Sequence, residues 1–279
     1  MLAGVWQLDR AEQKRNLAQT LETRRKQPAV FISANLPLAE QLALPLAEVT
    51  ERVEALSEYN PMLGMRGVRL GIAIPEIYDM QAQAIFEAMV AVGKTGTDIK
   101  VEIMIPLVSA MREVELVKAR VDAVATAICA KARIKLDYKL GVMVETPRAA
   151  LRAQDIAEHA AFLSFGTNDL TQMTYGLSRD DAGRFMSAYV QQGVYAEDPF
   201  HTLDIEGVGE LIAIGAERGR RGRPDVVLSI CGEHAGSRVA IEFCRAHGFD
   251  YVSCSPFRVP IARLAAAHAA LQARMSKEQ

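Results

Sequence analysis

The sequence has few cysteines, one tryptophan and no surplus of positive charge. Its four cysteines contain no C-x-x-C pair, so they indicate neither a zinc ribbon nor a redox motif, and a reduced environment is expected. The net charge of -2, with no basic stripe, argues against a nucleic-acid-binding surface. No apolar run reaches the about 18 residues of a membrane helix, and the first residues do not resemble a signal peptide. We therefore expect a cytoplasmic protein that binds neither nucleic acid nor membrane.

What the sequence does contain is an alternation of short apolar runs with longer helical stretches. The predicted strands are V-F-I-S at 30, V-R-L-G-I-A-I at 68, V-E-I-M-I-P at 101, L-G-V-M-V-E at 140, F-L-S-F-G at 162, V-V-L-S-I-C at 226 and Y-V-S-C-S at 251. The predicted helices are 38–58, 79–92, 111–132, 149–158, 206–218 and 237–247. Apolar strands separated by helices are typical of a parallel sheet.

This rhythm predicts an α/β fold, specifically a (β/α)8 TIM-type barrel, a domain that commonly has about 250 residues. Only seven strand candidates are present, and the run at residue 30 is weak. An eighth strand would have to come from residues 2–6. We therefore expect a barrel that is incomplete or irregular at its N-terminal strands.

Acidic residues follow two neighbouring predicted strands. Glu145 follows the strand at 140, and Asp169 follows the strand at 162. Working groups of such barrels lie at the carboxyl ends of the strands, and Mg²⁺ is commonly held there by one or two carboxylates. The alternative is that each acid caps the helix that follows it. Gly166 is similarly open between a tight turn and the close approach of a ligand.

Five motifs in a fixed order resemble those of the phosphoenolpyruvate (PEP)-utilising enzymes. They are N-P-M-L-G-M-R-G-V-R-L-G-I at 60, G-V-M-V-E-T-P-R-A-A-L at 141, F-G-T-N-D-L-T-Q-M-T-Y-G-L-S-R-D-D at 165, I-C-G-E-H-A-G at 230 and D-Y-V-S-C-S-P-F-R-V-P-I-A-R-L-A-A at 250. The family includes PEP synthase, enzyme I of the sugar phosphotransferase system and the pyruvate, phosphate dikinases, which this sequence resembles most. On this basis we expect a PEP/pyruvate-binding barrel domain at 30–279 and a helical N-terminal segment at 1–29 that is unlike the family.

The resemblance implies a metal site and a proton donor. Glu145 and Asp169 match the family's Mg²⁺ ligands. Cys231 matches the residue that protonates the methylene carbon of the enolate, although a small buried residue at a strand end is the alternative for it. A thiol suits this role because its pKa lies near the operating pH.

The resemblance also implies a substrate site for PEP and pyruvate. Its expected residues are Arg66, Arg69, Glu145, Gly166, Thr167, Asn168, Asp169 and Arg179. Guanidinium groups suit carboxylate and phosphate, although a surface ion pair is the alternative for each arginine. His234 is expected to orient Glu233 or to cap a helix, without a catalytic role.

The sequence departs from a complete dikinase in two respects. It shows no glycine-rich nucleotide loop and no phosphohistidine segment, so those domains are expected in a longer enzyme or on a separate chain. Ser33 stands where the family has an arginine that contacts the transferring phosphoryl group, which is expected to impair phosphoryl transfer. Family members often pair through this domain, so the resemblance also implies a homodimer.

Three functions remain open on the sequence. The first is the barrel of a dikinase-like phosphotransferase that interconverts pyruvate and PEP with Mg²⁺, and the presence of Cys231 favours it. The second is a catalytically impaired module that binds PEP or pyruvate, which Ser33 favours. The third is another Mg²⁺-dependent keto-acid enzyme, which would require a general base that the sequence does not reveal.

Overall fold

The structure is a computed structural model that describes residues 40, 43–58, 60–97 and 99–275. The chain divides into two compact units, Met1–Asn60 and Pro61–Gln279. The first unit contains one described helix, α1 (Leu46–Ala55), within the helix predicted at 38–58. The strands predicted at 2–6 and 30–33, and the boundary predicted at residue 29, lie outside the described residues.

The second unit is built on a parallel sheet. The strands are β1 (Val101–Ile105), β2 (Tyr138–Val144), β3 (Phe162–Gly166), β4 (Val227–Cys231) and β5 (Tyr251–Ser253). They lie side by side in chain order, and all four pairings are parallel. The predicted α/β class and the five predicted strands from 101 onward are confirmed.

Helices precede, connect and follow these strands. They are α2 (Val68–Ala73), α3 (Pro75–Gly93), α4 (Met111–Ala132), α5 (Pro147–Leu151), α6 (Ala153–Ala157), α7 (Thr167–Tyr175), α8 (Arg179–Ala182), α9 (Met186–Gln191), α10 (Glu210–Gly222), α11 (Arg238–Ala246) and α12 (Val259–Met275). A π-helical turn spans Ile205–Gly209, and 3₁₀ turns span Glu233–Gly236 and Pro256–Arg258. Within the described parts of the chain, no helix is both long and apolar enough to cross a membrane.

The strand predicted at 68–74 is wrong, because these residues form helix α2. Alternating apolar residues suggested a strand, but Gly67 takes a φ of +58° and turns the chain. The Val68 amide then bonds to the carbonyl of Pro106 at 3.0 Å. Of this helix, Val68 and Gly71 are buried, a spacing of three residues that belongs to a helix face.

Two helix predictions need smaller corrections. The helix predicted at 149–158 is divided into α5 and α6 at Arg152, whose φ of -110° and ψ of 20° lie outside the helical region. The helix predicted at 206–218 begins with the π-helical turn. There the Asp204 carboxylate accepts hydrogen bonds from the amides of Glu206, Gly207 and Val208, which stabilises the start of the helix.

The main hydrophobic core lies between one face of the sheet and its helices. The strand residues in it alternate along the chain and include Val142, Leu163, Phe165, Leu228 and Ile230. Alternation places the intervening residues on the opposite face, which carries the apolar Met143, Phe162 and Val227 as well as small or polar residues. The small or polar residues include Gly141, Ser164, Gly166, Ser229 and Cys231.

The pairing register brings the carboxyl ends of the central strands together. Val144 pairs with Phe165, and Gly166 pairs with Cys231. Because the strands are parallel, Glu145 and the segment that begins at Thr167 emerge at the same edge of the sheet. The sheet thereby collects residues that are widely separated in the sequence.

Candidate functional site

Glu145 is a buried carboxylate at the end of β2. Its side chain is only 6% exposed, and its Oε1 accepts a hydrogen bond of 2.6 Å from the amide of Leu107. Leu107 has a φ of +60°, a conformation that aims this amide at the carboxylate. Burial, followed by the negative charge of Asp169, raises the pKa of Glu145 to about 7. Its anionic form is therefore costly unless a cation or a proton compensates it.

Asp169 lies in the first turn of α7, and both of its oxygens have partners. The Arg66 guanidinium donates to Oδ2 at 2.8 Å, and the Gln172 side chain donates to Oδ1 at 3.0 Å. Arg66 also donates through its Nε to the carbonyl of Met62 at 2.9 Å. The carboxylate is therefore held between a cation and an amide, next to Glu145.

Gly166 permits this close arrangement. A Cβ atom at this position would lie 2.8 Å from Oε2 of Glu145 and 3.0 Å from Sδ of Met143. Gly166 is thus required for the approach of the Glu145 carboxylate, a contact that differs from the tight turn and the ligand approach expected from the sequence.

Arg179 is held at the site by three groups. Its guanidinium donates to Oδ1 of Asn168 at 2.9 Å and pairs with Oε2 of Glu233 at 2.9 Å. Its backbone amide donates to Oε1 of Gln172 at 2.8 Å. Hydrogen bonding and the charge of Arg179 hold the pKa of Glu233 below its usual range. One buried side chain, that of Gln172, consequently connects Asp169 with Arg179.

Cys231 ends β4, beside the segment that starts α7. Burial raises the pKa of its thiol, the charge of Glu145 adds to this, and a hydrogen bond with Ser164 acts in the opposite direction. The hydroxyl of Thr167 lies 3.0 Å from the carbonyl of Cys231, within hydrogen-bond distance. A protonated thiol at neutral pH follows from the burial.

Next to these residues lies an open cleft of about 560 Å³. Its walls are formed by Asn168, Arg179, Cys231, Gly232, Glu233, Ser253, Cys254, Ser255 and Arg258. The predicted proton donor and one predicted arginine therefore face the same cavity.

Arg69 is placed differently from Arg66 and Arg179. Its guanidinium donates to the carbonyls of Leu63 and Gly64 at 2.8 and 3.0 Å, and it secures the loop before α2. The structure thus brings Arg66 to the carboxylate pair and gives Arg69 a contact with the backbone.

The carboxylate pair has a donor set that suits Mg²⁺. Among the described residues, no group of three or more histidine, cysteine, aspartate or glutamate side chains could hold a metal ion. Mg²⁺ does not require one, because it is often bound by one or two carboxylates with water and substrate oxygens. The pKa of Glu145 is raised first by burial and then by the charge of Asp169, so its anion is costly, and a divalent cation would offset this cost.

Several partners of the site were not predicted from the sequence. Leu107 contributes only its backbone amide, which no sequence motif reveals. Ser164 lies outside the five motifs, and Gln172 lies within the third motif but no role is expected for it. His234, assigned no catalytic role, is buried beside Thr167. Gln172 could have been suspected, because it lies three residues after Asp169 on the same helix face.

Fold and site together define an α/β protein with paired carboxylates, arginines and a thiol at the carboxyl edge of a parallel sheet. The chain belongs to the PEP-utilising enzyme family: residues 7–271 match its PEP-binding domain. The resemblance predicted from the motifs is confirmed. The match begins at residue 7, within the segment that was expected to be unlike the family.

Curated relatives give the same family. The chain is 57% identical over 238 residues to the pyruvate, phosphate dikinase of Rhizobium meliloti (strain 1021), covering 85% of this chain and 26% of that protein. It is 52% identical over 235 residues to that of Clostridium symbiosum, covering 84% and 27%. The chain spans about a quarter of the length of these relatives. A citrate lyase structure from Burkholderia xenovorans LB400 aligns with 60% of this chain and 48% of that chain at 17% identity, and its TM-score of 0.39 supports no statement about fold.

Proposed function

We propose that this chain is the PEP/pyruvate-binding part of a pyruvate, phosphate dikinase-like phosphotransferase. It would interconvert PEP and the enolate of pyruvate with Mg²⁺, using a phosphohistidine carried by another domain. The observation that carries the proposal is the arrangement of Glu145, Asp169 and Cys231 at one edge of three adjacent strands. The relatives, named dikinases at 50–57% identity, support the same activity.

Glu145 and Asp169 are the residues that would hold the metal ion. When bound, Mg²⁺ would stabilise the negative charge of an enolate oxygen. The two carboxylates would hold this ion, and their own geometry is fixed by the Leu107 amide and by Arg66.

Substrate anions would be bound by Arg66, Arg179 and Asn168. Arg179 is preorganised by Glu233, and its guanidinium faces the cleft. Guanidinium groups match the geometry of carboxylate and phosphate. Gly166 and Thr167 are proposed to line the site through their backbone, and Arg69 to support it from the loop before α2.

Cys231 would supply the proton in the direction of pyruvate formation. Its S–H bond breaks as a C–H bond forms at the methylene carbon of the enolate, and a thiolate remains. In the reverse direction the thiolate accepts a proton from the methyl group of pyruvate. The raised pKa of the thiol supports this role, because it keeps the acid protonated at neutral pH.

The proposed fold of this domain is a (β/α)8 barrel. Five parallel strands in chain order, joined by helices, support it. The polar and charged groups at the carboxyl ends of these strands also suit a barrel, whose working groups lie at that end. Nucleotide-binding and phosphohistidine domains are proposed as partners, as is a second copy of the chain.

A binding module without phosphoryl transfer is the second candidate. It is favoured by Ser33, which replaces a family arginine expected to contact the transferring phosphoryl group. Such a module would bind PEP or pyruvate with Mg²⁺ through the same carboxylates and arginines.

Deuterium exchange separates the two candidates. The chain is incubated with pyruvate and Mg²⁺ in deuterated water, and the methyl protons are followed by NMR. Exchange that is lost in Cys231→Ala but kept in Cys254→Ala, a cysteine lining the same cleft, supports the enzyme. Binding of pyruvate without exchange supports the module. If the Glu145→Gln and Asp169→Asn variants bind Mg²⁺ as tightly as the parent, the proposed metal site is wrong.

A further inference from the structure

His234 is a buried histidine whose two ring nitrogens both have partners. It lies in the 3₁₀ turn after β4 and is only 1% exposed. Its Nδ1 is 2.8 Å from Oγ1 of Thr167, and its Nε2 is 3.0 Å from the carbonyl oxygen of Pro199. The ring thus connects the start of α7 with the loop before the π-helical turn.

The partners of His234 determine where its proton lies. The carbonyl of Pro199 can only accept, so Nε2 must carry a hydrogen. Burial lowers the pKa of the ring, although the hydrogen bond to Pro199 and the charge of Glu233 oppose this, and the nearby Arg179 and Arg258 lower it further. A neutral ring with its proton on Nε2 has a lone pair on Nδ1. The Thr167 hydroxyl, which donates to the carbonyl of Cys231, must then also donate to Nδ1 in a three-centre hydrogen bond.

The Thr167 hydroxyl consequently has one proton for two acceptors, Nδ1 of His234 and the carbonyl of Cys231. Its oxygen lies 2.8 Å from Nδ1 of His234 and 3.0 Å from the carbonyl of Cys231. A Cβ atom on Gly232 would lie 2.5 Å from this oxygen, and Gly232 has a φ of +105°, so glycine is required there. The side chain of Thr167 is therefore enclosed by His234 and by the backbone that follows Cys231.

We propose that His234 is a positioning residue that, in its Nε2–H tautomer, holds Thr167 against the backbone of Cys231. The ring also links this contact between Thr167 and Cys231 to the loop at Pro199. It thereby fixes the distance between the end of β4, which carries the thiol, and the segment that carries Asn168. His234 itself acts only through Thr167.

The consequence for catalysis rests on the proposed role of Cys231, whereas the contacts of His234 with Thr167 and Pro199 can be tested without it. The first test is NMR of the ring nitrogens in the ¹⁵N-histidine-labelled parent chain near pH 7, with the His234 signal assigned by its loss in His234→Asn. The expected spectrum shows a proton on Nε2 and none on Nδ1. In Thr167→Val the Nδ1 signal moves and Nε2 stays protonated, while Thr167→Ser resembles the parent. A proton on Nδ1 overturns the proposal.

The second test compares two variants that each keep a polar group near one of the two ring nitrogens. His234→Asn keeps a polar group near the Nδ1 position, and His234→Gln keeps a donor near the Nε2 position. The measurement is the rate of alkylation of Cys231 by iodoacetamide, relative to Cys129 in α4 within the same sample. We expect the Asn variant to keep the parent's ratio and the Gln variant to change it by about tenfold.

Other outcomes contradict the positioning role. Equal changes in both variants indicate a general effect on folding, and no change in either removes the link to Cys231. A change in the Asn variant alone assigns the effect to Pro199 and not to Thr167. If the parent shows no pyruvate exchange, the proposed function fails, but the alkylation ratios and the ring spectrum still decide the role of His234.

Discussion

The Arg66 guanidinium donates a hydrogen bond of 2.8 Å to Oδ2 of Asp169, a residue 103 positions later in the chain. This contact joins the loop before α2 to the first turn of α7. It also places a positive charge beside one of the two proposed metal ligands, so Arg66 should affect metal and substrate in opposite ways.

Arg66→Met should weaken binding of PEP by roughly 1.5–3 kcal/mol, because a charge-assisted hydrogen-bond donor is lost. Binding of Mg²⁺ alone should become tighter, because a neighbouring positive charge is removed. Titration calorimetry with Mg²⁺ alone and then with PEP measures both. The control is Arg112→Met, which removes an exposed ion pair with Glu115 on α4 and should change neither. Weakening of both ligands by Arg66→Met would instead indicate a purely structural arginine.

Gln172, which bonds to the proposed metal ligand Asp169, should make the stability of the fold depend on Mg²⁺. Gln172→Glu keeps an acceptor for the amide of Arg179 but places a carboxylate 3.0 Å from Oδ1 of Asp169. Without metal, this variant should lose about 1–3 kcal/mol of unfolding free energy, and Mg²⁺ should restore more stability to it than to the parent. Gln172→Met, which has neither the amide donor nor the amide acceptor, is the comparison variant. Urea unfolding with and without Mg²⁺ decides, and equal Mg²⁺ effects in all three proteins exclude the coupling.

Gly166→Ala should damage the metal site more than the fold. The added methyl group meets the Glu145 carboxylate oxygen at 2.8 Å, and this end of the side chain can move away. We expect about 1–3 kcal/mol of destabilisation and at least about tenfold weaker Mg²⁺ binding. Gly93→Ala is the control, since a methyl group there has no neighbour within 4 Å and should leave Mg²⁺ binding unchanged. Unaltered Mg²⁺ affinity in Gly166→Ala would show that the Glu145 carboxylate is not needed in its present place.

The stability of the metal-free chain should fall as the pH rises towards neutral. The folded-state pKa of Glu145 is raised from 4.5 to about 7, so the fold favours the protonated carboxyl group. Its contribution is complete below the unfolded-state value and is lost as the pH rises through the folded-state value. Glu145→Gln stays neutral and should lack this loss, which we expect to be about 1–3 kcal/mol. Urea unfolding in a chelator between about pH 4 and pH 8 tests this, and parallel curves for the two proteins would contradict it.

The sequence predicted the sheet well from residue 101 onward, because buried parallel strands are short apolar runs between helices. It failed at 68–74, where the same alternation of apolar residues occurs in a helix. The deciding interaction there is the bond between the Val68 amide and the carbonyl of Pro106, which no local pattern reveals. Tertiary context overrides local preference at such positions.

The sequence predicted the two carboxylates of the candidate site but not the groups that orient them. Glu145 and Asp169 follow strands, so their convergence could be expected from the parallel order. The partners that orient them could not, because Leu107 contributes a backbone amide and Gln172 resembles any polar helix residue. His234 was underestimated because its role depends on which groups meet its two nitrogens, and those groups come from residues 167 and 199.

Leu107 reaches Glu145 through an atom that every amino acid except proline possesses. The contact with the carboxylate therefore does not depend on the Leu107 side chain, which is only 1% exposed and belongs to the core. Proline alone would abolish it, since it has no amide hydrogen and its ring fixes φ near -65°, whereas Leu107 has a φ of +60°. Other substitutions at this position would consequently probe the packing of the side chain, whereas proline would probe the main-chain hydrogen bond to the acidic group.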